Sequence, residues 1–215
     1  VIRAFIFDLD GVLTDTSEFH YQAWKRLADE EGIPFTREDN EALRGVSRHD
    51  SLRLLLKGRR LPPDQFEEWA ERKNRYYLEF INQITPQNLL PGALEFLQAI
   101  RTAGLKTAIA SSSKNARTVV ERLGLFPWID VLVDGTMVER SKPAPDLFLK
   151  AAELLQEPPT ACVVVEDAQA GVEAAHAAGM RVIGLGPQER VGKADLILNS
   201  LSGLSLASVL ERLGS

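Results

Sequence analysis

The 215 residues are 45% hydrophobic and carry a formal net charge of −5, enough for a substantial core in one domain plus an insertion, or in two modest domains. No basic block gives the footprint of a nucleic-acid-binding protein, and no apolar run is long enough for a membrane span. The first strand opens almost at residue 1, so no signal peptide is expected, and the one cysteine, Cys162, permits no disulfide within the chain; a cytoplasmic protein is expected.

Ala4, Phe5, Ile6 and Phe7 read as a short buried strand, and Asp8-Leu9-Asp10-Gly11 follows where it ends. Residues two apart in extended chain project to the same side, so Asp8 and Asp10 are expected to share one small site. Two carboxylates so close repel unless a cation neutralises them or one takes a proton. After Gly11 the periodicity turns helical for about seventy residues. Asp15 with Glu18 predicts a first helix start, and His20, Trp24 and Leu27 fall on one face of that helix. Thr36 with Asp39 predicts a second helix ended by Gly45, and Ser47 with Asp50 a third through Leu56. Pro62-Pro63-Asp64 precedes a fourth, running from Gln65 to about Ile84.

From Pro91 the pattern alternates. Helix is predicted over 94–103, strand over 106–110, helix over 115–123, strand over 131–133 and helix over 146–155. Strand 161–165, helix 168–178 and strands 181–185 and 195–198 follow. Near-continuous apolar strands alternating with helices predict a parallel sheet covered on both faces. The fold class is α/β: a Rossmann-like parallel-sheet core, residues 1–13 and 87–215, with an inserted all-helical cap domain, residues 14–86. Such sheets bind ligands outside the carboxyl ends of their strands. Asp8/Asp10, Ser111–Asn115, Lys142 and Glu166/Asp167 all fall there or in the connections that follow.

Asp8 is the candidate nucleophile, because an ordinary carboxylate is already ionised at neutral pH. Asp10 is the candidate acid/base, a role that needs a raised pKa. Glu166-Asp167 reads either as a helix cap or, with Asp8 and a backbone carbonyl, as hard oxygen ligands for Mg²⁺. Ser111-Ser112-Ser113-Lys114-Asn115 is either a cap or an anion site at a helix start. Lys142, in a loop stiffened by Pro143 and Pro145, is placed to neutralise phosphate charge. Gly45-Val46-Ser47-Arg48 is a helix stop and cap that could also hold a second phosphate. His49 and His176 read as structural.

These motifs, in this order and with a helical insert after the first, resemble the haloacid dehalogenase superfamily of phosphotransferases over essentially the whole chain. The signs are Asp8-Leu9-Asp10-Gly11-Val12-Leu13-Thr14-Asp15-Thr16, His20, Trp24, Gly45-Val46-Ser47-Arg48 and Arg72-Lys73-Asn74. Ser111–Asn115, Ser141-Lys142-Pro143-Ala144-Pro145-Asp146 and Glu166-Asp167 complete them. The insert motifs are similar to those of the superfamily's glucose-phosphate mutases. That resemblance implies conversion of β-D-glucose 1-phosphate to glucose 6-phosphate through β-glucose 1,6-bisphosphate. Asp8 would carry the phosphoryl group and Asp10 act as acid/base. Mg²⁺ would sit on Asp8, the Asp10 carbonyl, Glu166 and Asp167. Ser111 and Lys142 would grip the transferring phosphate, while Arg48 and the turn of Gly45, Val46 and Ser47 would hold the other with Ser113, Lys114 and Asn115. Thr16, His20 and Lys73 would tie Asp10 to closure of the cap over substrate. A monomer acting on a small sugar phosphate is expected, with no nucleic-acid or membrane partner. A sugar-phosphate phosphatase on the same fold is the second reading, and a catalytically silent phosphate-binding protein the third. The Asp134–Arg140 loop has no assignment.

Overall fold

A computed structural model describes residues 1–214. Six strands form one parallel sheet in the order β3-β2-β1-β4-β5-β6. They are β1 (Ala4–Phe7), β2 (Lys106–Ala110), β3 (Val131–Val133), β4 (Cys162–Glu166), β5 (Arg181–Leu185) and β6 (Leu196–Leu198). β1 is central: Phe5 pairs with Thr107 on one side and with Val163 on the other. The order reverses between β1 and β4, the switch point at which open α/β sheets form a crevice. Asp8 and Asp10 leave one side of that crevice, Glu166 and Asp167 the other.

Side-chain alternation along β1 divides the core into two layers. Phe5 and Phe7 pack edge-on against Phe96 of α5 (Ala93–Thr102). Ala4 and Ile6 face the opposite layer, with Phe148 of α7 (Asp146–Leu155) and the alanines of α8 (Gln169–Ala177). α6 (Ala116–Arg122), α9 (Gln188–Val191) and α10 (Leu206–Arg212) complete the core, and the last two have no counterpart in the sequence reading. Cys162 is a fully buried thiol.

Between β1 and α5 lie α1 (Ser17–Glu30), α2 (Arg37–Glu41), α3 (Arg48–Leu55) and α4 (Pro63–Ile81). α1 buries Ala23, Trp24, Leu27 and Ala28, and α4 buries Trp69, Ala70, Tyr77 and Ile81. α2 begins in the expected box, Thr36 accepting from the Asp39 amide and Asp39 from the Thr36 amide. The first helix start is different. Asp15 and Glu18 do not cap α1; Thr16 stands at its N-cap without a side-chain bond, and Asp15 accepts from Ser17 instead. The fourth helix starts earlier than expected, because Pro63 fits the first helical turn, and it stops sooner, with Asn82 at its C-cap. The helical unit joins the sheet through two adjacent connections, which meet where Thr14 bridges Leu89 and its hydroxyl donates to the Asn88 carbonyl at 2.7 Å. Among the described residues no helix is long and apolar enough to cross a membrane.

Candidate active site

At the switch point Lys142 is fully buried and donates to Asp8, to Glu166 Oε1 at 2.7 Å and to the Ala110 carbonyl at 3.2 Å. Glu166 Oε2 accepts from the Asp167 and Ala168 amides at 2.7 and 2.8 Å. Of the two sequence readings of this pair the cap is seen directly: Glu166 holds the backbone entering α8, and its other oxygen pairs with the Lys142 ammonium. Gly171 makes this fit possible, since a Cβ there would stand 1.9 Å from the Glu166 carboxyl. Gly11, at φ +86, likewise leaves room for Asp167, whose Oδ2 lies 2.2 Å from where a Cβ would be.

Asp8 is not an ordinary carboxylate. Burial pushes its pKa well above the usual range, and Glu166, Asp10 and Asp167 add to that while Lys142 opposes it. Burial, and then Glu166, push Asp167 up to about 7. Burial would lower Lys142, but Asp8 and Glu166 outweigh it and hold the ammonium above its usual range. Carboxylate oxygens of Asp8, Glu166 and Asp167 lie within 4.8 Å of one another. Three buried carboxylates around one ammonium leave uncompensated negative charge, and an all-oxygen donor set of this kind suits a small hard divalent cation. The residues fit the metal that the sequence implies.

The folded, cation-free protein keeps a proton on Asp167 to about pH 7, whereas an unfolded chain loses it near 4. Folding therefore binds a proton in this window, and stability falls as pH rises from about 4 to 7. At a fixed concentration about a hundredfold above its Kd at pH 8, Mg²⁺ is expected to raise the melting temperature there by roughly 5–10 °C. At pH 5, where protons compete for the same oxygens, the shift should nearly vanish. Equal shifts at both pH values in a thermal melt would remove Asp167 from the ligand set.

Asp10 lines the same cavity as Asp8 but takes different partners. Its Oδ2 is 3.6 Å from His20 Nε2, and His20 Nδ1 is 2.8 Å from Lys73 Nζ. With Lys73 donating to Nδ1, the ring proton lies on Nε2, toward Asp10. Burial, then Arg48, lower Lys73 to about 7. Burial, then Lys73, also lower His20, against the pull of Asp10. The Lys73 ammonium lies 4.8 Å from the ring centroids of both Trp24 and Tyr77.

A cavity of about 780 Å³, counting its open mouth, lies between sheet and helical unit. Its core wall includes Asp8, Asp10, Asp167, Ser111, Ser113 and Asn115, with Lys114 at the rim. The Ser111 and Ser113 hydroxyls accept from the Ser113 and Asn115 amides, each at 3.1 Å, so they act as turn caps as well as wall. Two bonds cross from loop to helices: Ser112 donates to the Gly45 carbonyl at 2.9 Å and Asn115 to Asn74 at 2.8 Å. On the far wall are His20, Trp24, Gly45, Val46, Arg48 and Lys73. Arg48 pairs there with Glu71 at 2.6 Å.

Four residues named from the sequence do not reach this cavity. Lys142 and Glu166 stand behind Asp8. Ser47 caps α3, accepting from the Asp50 amide and donating to its carboxylate at 2.7 Å. Thr16 is fully buried at the joint. Conversely Arg44 reaches in from the helical unit to Asp167 at 3.1 Å, and Asn74 joins the wall. In sequence Arg44 is a basic residue at a helix end before a glycine, where a dipole partner is the ordinary reading. His49 and His176 pair with Glu67 and Asp195 away from the cavity.

Residues 2–179 match the family model of the haloacid dehalogenase-like hydrolases. The chain belongs to that family. It is 40% identical to a β-phosphoglucomutase of Bacillus subtilis, over 98% of this chain and 95% of that one. The solved structure of a β-phosphoglucomutase from Clostridium difficile superposes with a TM-score of 0.95 at 37% identity, covering 100% and 98% of the two chains. A phosphorylated carbohydrates phosphatase of Thermotoga maritima is 33% identical over 90% of this chain and 89% of its own. The haloacid dehalogenase-like fold, with its helical cap over the sheet, thus accompanies both mutase and phosphatase names among the relatives.

Proposed function

We propose that this family member is a Mg²⁺-dependent β-phosphoglucomutase, monomeric and cytoplasmic, interconverting β-D-glucose 1-phosphate and glucose 6-phosphate through β-glucose 1,6-bisphosphate. The observation that carries this reading is the two-ended cavity. Asp8 and Ser111 line it where the transferring phosphate would sit, and Arg48, the Gly45 turn, Ser113, Lys114 and Asn115 line it where a second phosphate would sit. A bisphosphate needs two such ends; a phosphatase acting on a monophosphate needs one.

In the first half-reaction, starting from the phosphorylated enzyme, Asp10 takes a proton from the C6 hydroxyl of β-glucose 1-phosphate, whose oxygen attacks the phosphorus on Asp8 and forms the bisphosphate as the bond to Asp8 breaks. In the second, with the bisphosphate turned end over end, an Asp8 oxygen attacks the C1 phosphorus as its bond to the sugar oxygen breaks, and Asp10 returns the proton to that oxygen to release glucose 6-phosphate. Lys142 keeps Asp8 in place and offsets the charge gathering beside it. Asp8, the Asp10 carbonyl, Glu166 and Asp167 would hold Mg²⁺, which would supply charge neutralisation for the phosphoryl oxygens. His20 and Lys73 hold Asp10 from the cap side, so proton transfer depends on closure. Ser111 and Ser113 present hydroxyls, and Lys114 and Asn115 a cation and an amide, to the ends of the substrate.

A ³¹P NMR time course with Mg²⁺, β-glucose 1-phosphate and a trace of glucose 1,6-bisphosphate tests the proposal. Glucose 6-phosphate with little inorganic phosphate is expected. Inorganic phosphate as the main product would replace the mutase with the phosphatase. Arg48→Ala removes the cap-side cation, and a charged hydrogen bond of about 1.5–3 kcal/mol corresponds to roughly a 10- to 150-fold rise in KM for the bisphosphate. An unchanged KM would take Arg48 out of the second phosphate site.

A further inference from the structure

Among the described residues, one cap side chain bonds directly to a carboxylate of the acidic cluster formed by Asp8, Glu166 and Asp167. Arg44 Nη1 donates to Asp167 Oδ2 at 3.1 Å, from the helical unit to the sheet. The other oxygen, Oδ1, accepts no hydrogen bond from any described residue, and Asp167 lines the cavity. Arg44 therefore engages one oxygen and leaves the second free as a donor to a cation. The Asp167 side chain is 5% exposed and that of Arg44 22%, so solvent screens this pair only weakly.

Neighbouring residues hold Arg44 in this place. Its Nε lies 3.2 Å from Glu41, and Glu41 in turn faces Arg190 of α9 at 3.7 Å. Charge thus alternates along Asp167, Arg44, Glu41 and Arg190, a row that begins and ends on the core and passes through the cap. The turn after Arg44 lies against the core as well. Gly45 has φ +72, and a Cβ there would stand 3.2 Å from that of Ala168, the residue after Asp167. Glycine lets the backbone come this close and sets the reach of Arg44. Ser112 pins the same turn by donating to the Gly45 carbonyl at 2.9 Å.

We propose that Arg44 is a positioning residue for the metal: from the cap it holds Asp167 in its ligating posture, so that Mg²⁺ binds best when the cap is shut. This rests on the Mg²⁺ reading of the acidic cluster. Groups that fix the remaining polar atom of a metal ligand typically contribute about 10- to 100-fold to affinity. Here that contribution comes from the cap and is lost whenever the cap lifts. By linkage, whatever factor closure adds to Mg²⁺ affinity, Mg²⁺ adds to closure. One side chain then couples the metal to the cap.

The test is isothermal titration of MgCl₂ into the substrate-free protein at pH 8. Arg44→Ala should raise the Kd about 10- to 100-fold, and Arg44→Lys, which restores the charge, should recover most of that loss. Hydrogen exchange reads the reciprocal effect: Mg²⁺ should slow the amides of residues 42–47 by about tenfold in the wild type and leave them unchanged in Arg44→Ala. A Kd in Arg44→Ala within about twofold of wild type, or below it, overturns the proposal. A lower Kd would make Arg44 a placeholder that the metal displaces. Should Arg44→Ala fold poorly, Arg44→Gln, which keeps most of the stem without the charge, decides in its place. A wild type that takes up no Mg²⁺ overturns the metal reading and this proposal together. A wild type that binds Mg²⁺ no more tightly than the variant overturns the proposal alone.

Discussion

Asp8→Asn is expected to lower turnover by at least about 10⁴-fold, the order seen when a nucleophile is removed from an otherwise intact site. Asparagine keeps the shape of the side chain but cannot form the acyl-phosphate. Lys142 retains Glu166 as its second carboxylate partner, so the fold should survive and the melting temperature should change by only a few degrees. Mass spectrometry after brief exposure to bisphosphate should show a phosphorylated wild type and an unmodified variant. A variant that still acquires the phosphoryl group would move the nucleophile elsewhere. Slow turnover within tenfold of wild type would do the same.

The second large effect is on stability. Lys142 is fully buried between Asp8 and Glu166, and Lys142→Met removes the cation while keeping most of the volume. Breaking a buried ion pair from one side costs about 3–5 kcal/mol, because the abandoned charges remain. For a chain of this length that is a fall of roughly 6–20 °C in melting temperature. The deficit should depend on pH. Without the ammonium that opposes it, burial makes Asp8 gain a proton more readily when folded than when unfolded. Folding then takes up protons, so stability drops as pH rises through the carboxylate range. The variant should therefore approach wild type near pH 5 and fall furthest behind at pH 8. A deficit that is equal at both values would assign the loss to packing against Phe148 rather than to charge.

Much of this architecture is legible in the chain because its signals are local. Apolar runs of four or five residues mark the strands, and glycines at 104, 124 and 179 mark helix ends, so β1, β2, β3, β5 and α7 fall where they are expected. The carboxylates, the serine loop and Lys142 were also readable, since each is tied to the end of a strand or the loop after it. What escaped is long-range. Asp8 and Asp10 alternate onto one side of the extended chain, but nothing in that spacing says that one turns to Lys142 and the other to His20. Whether Asp8 behaves as an ordinary acid depends on its burial and on the charges of Lys142 and Glu166, more than a hundred positions away. Arg44 and Asn74 meet the site only because two separately folded faces come together. Ser47 shows the converse: its cap signal is plain, and its hydroxyl makes that cap.

The central place of β1 also bears on how the chain matures during synthesis. Phe5 emerges first, yet its partners Thr107 and Val163 are made much later. At about 5–20 residues per second, β1 waits on the order of ten to thirty seconds for its second neighbour. Through that interval Phe5-Ile6-Phe7 is a bare apolar strand with two open edges, attached to helices that can already pack on one another. Nascent chains stalled between the cap and β4 should thus be the species that holdase chaperones capture, and a charge placed in β1 to keep them dispersed would ruin the finished core.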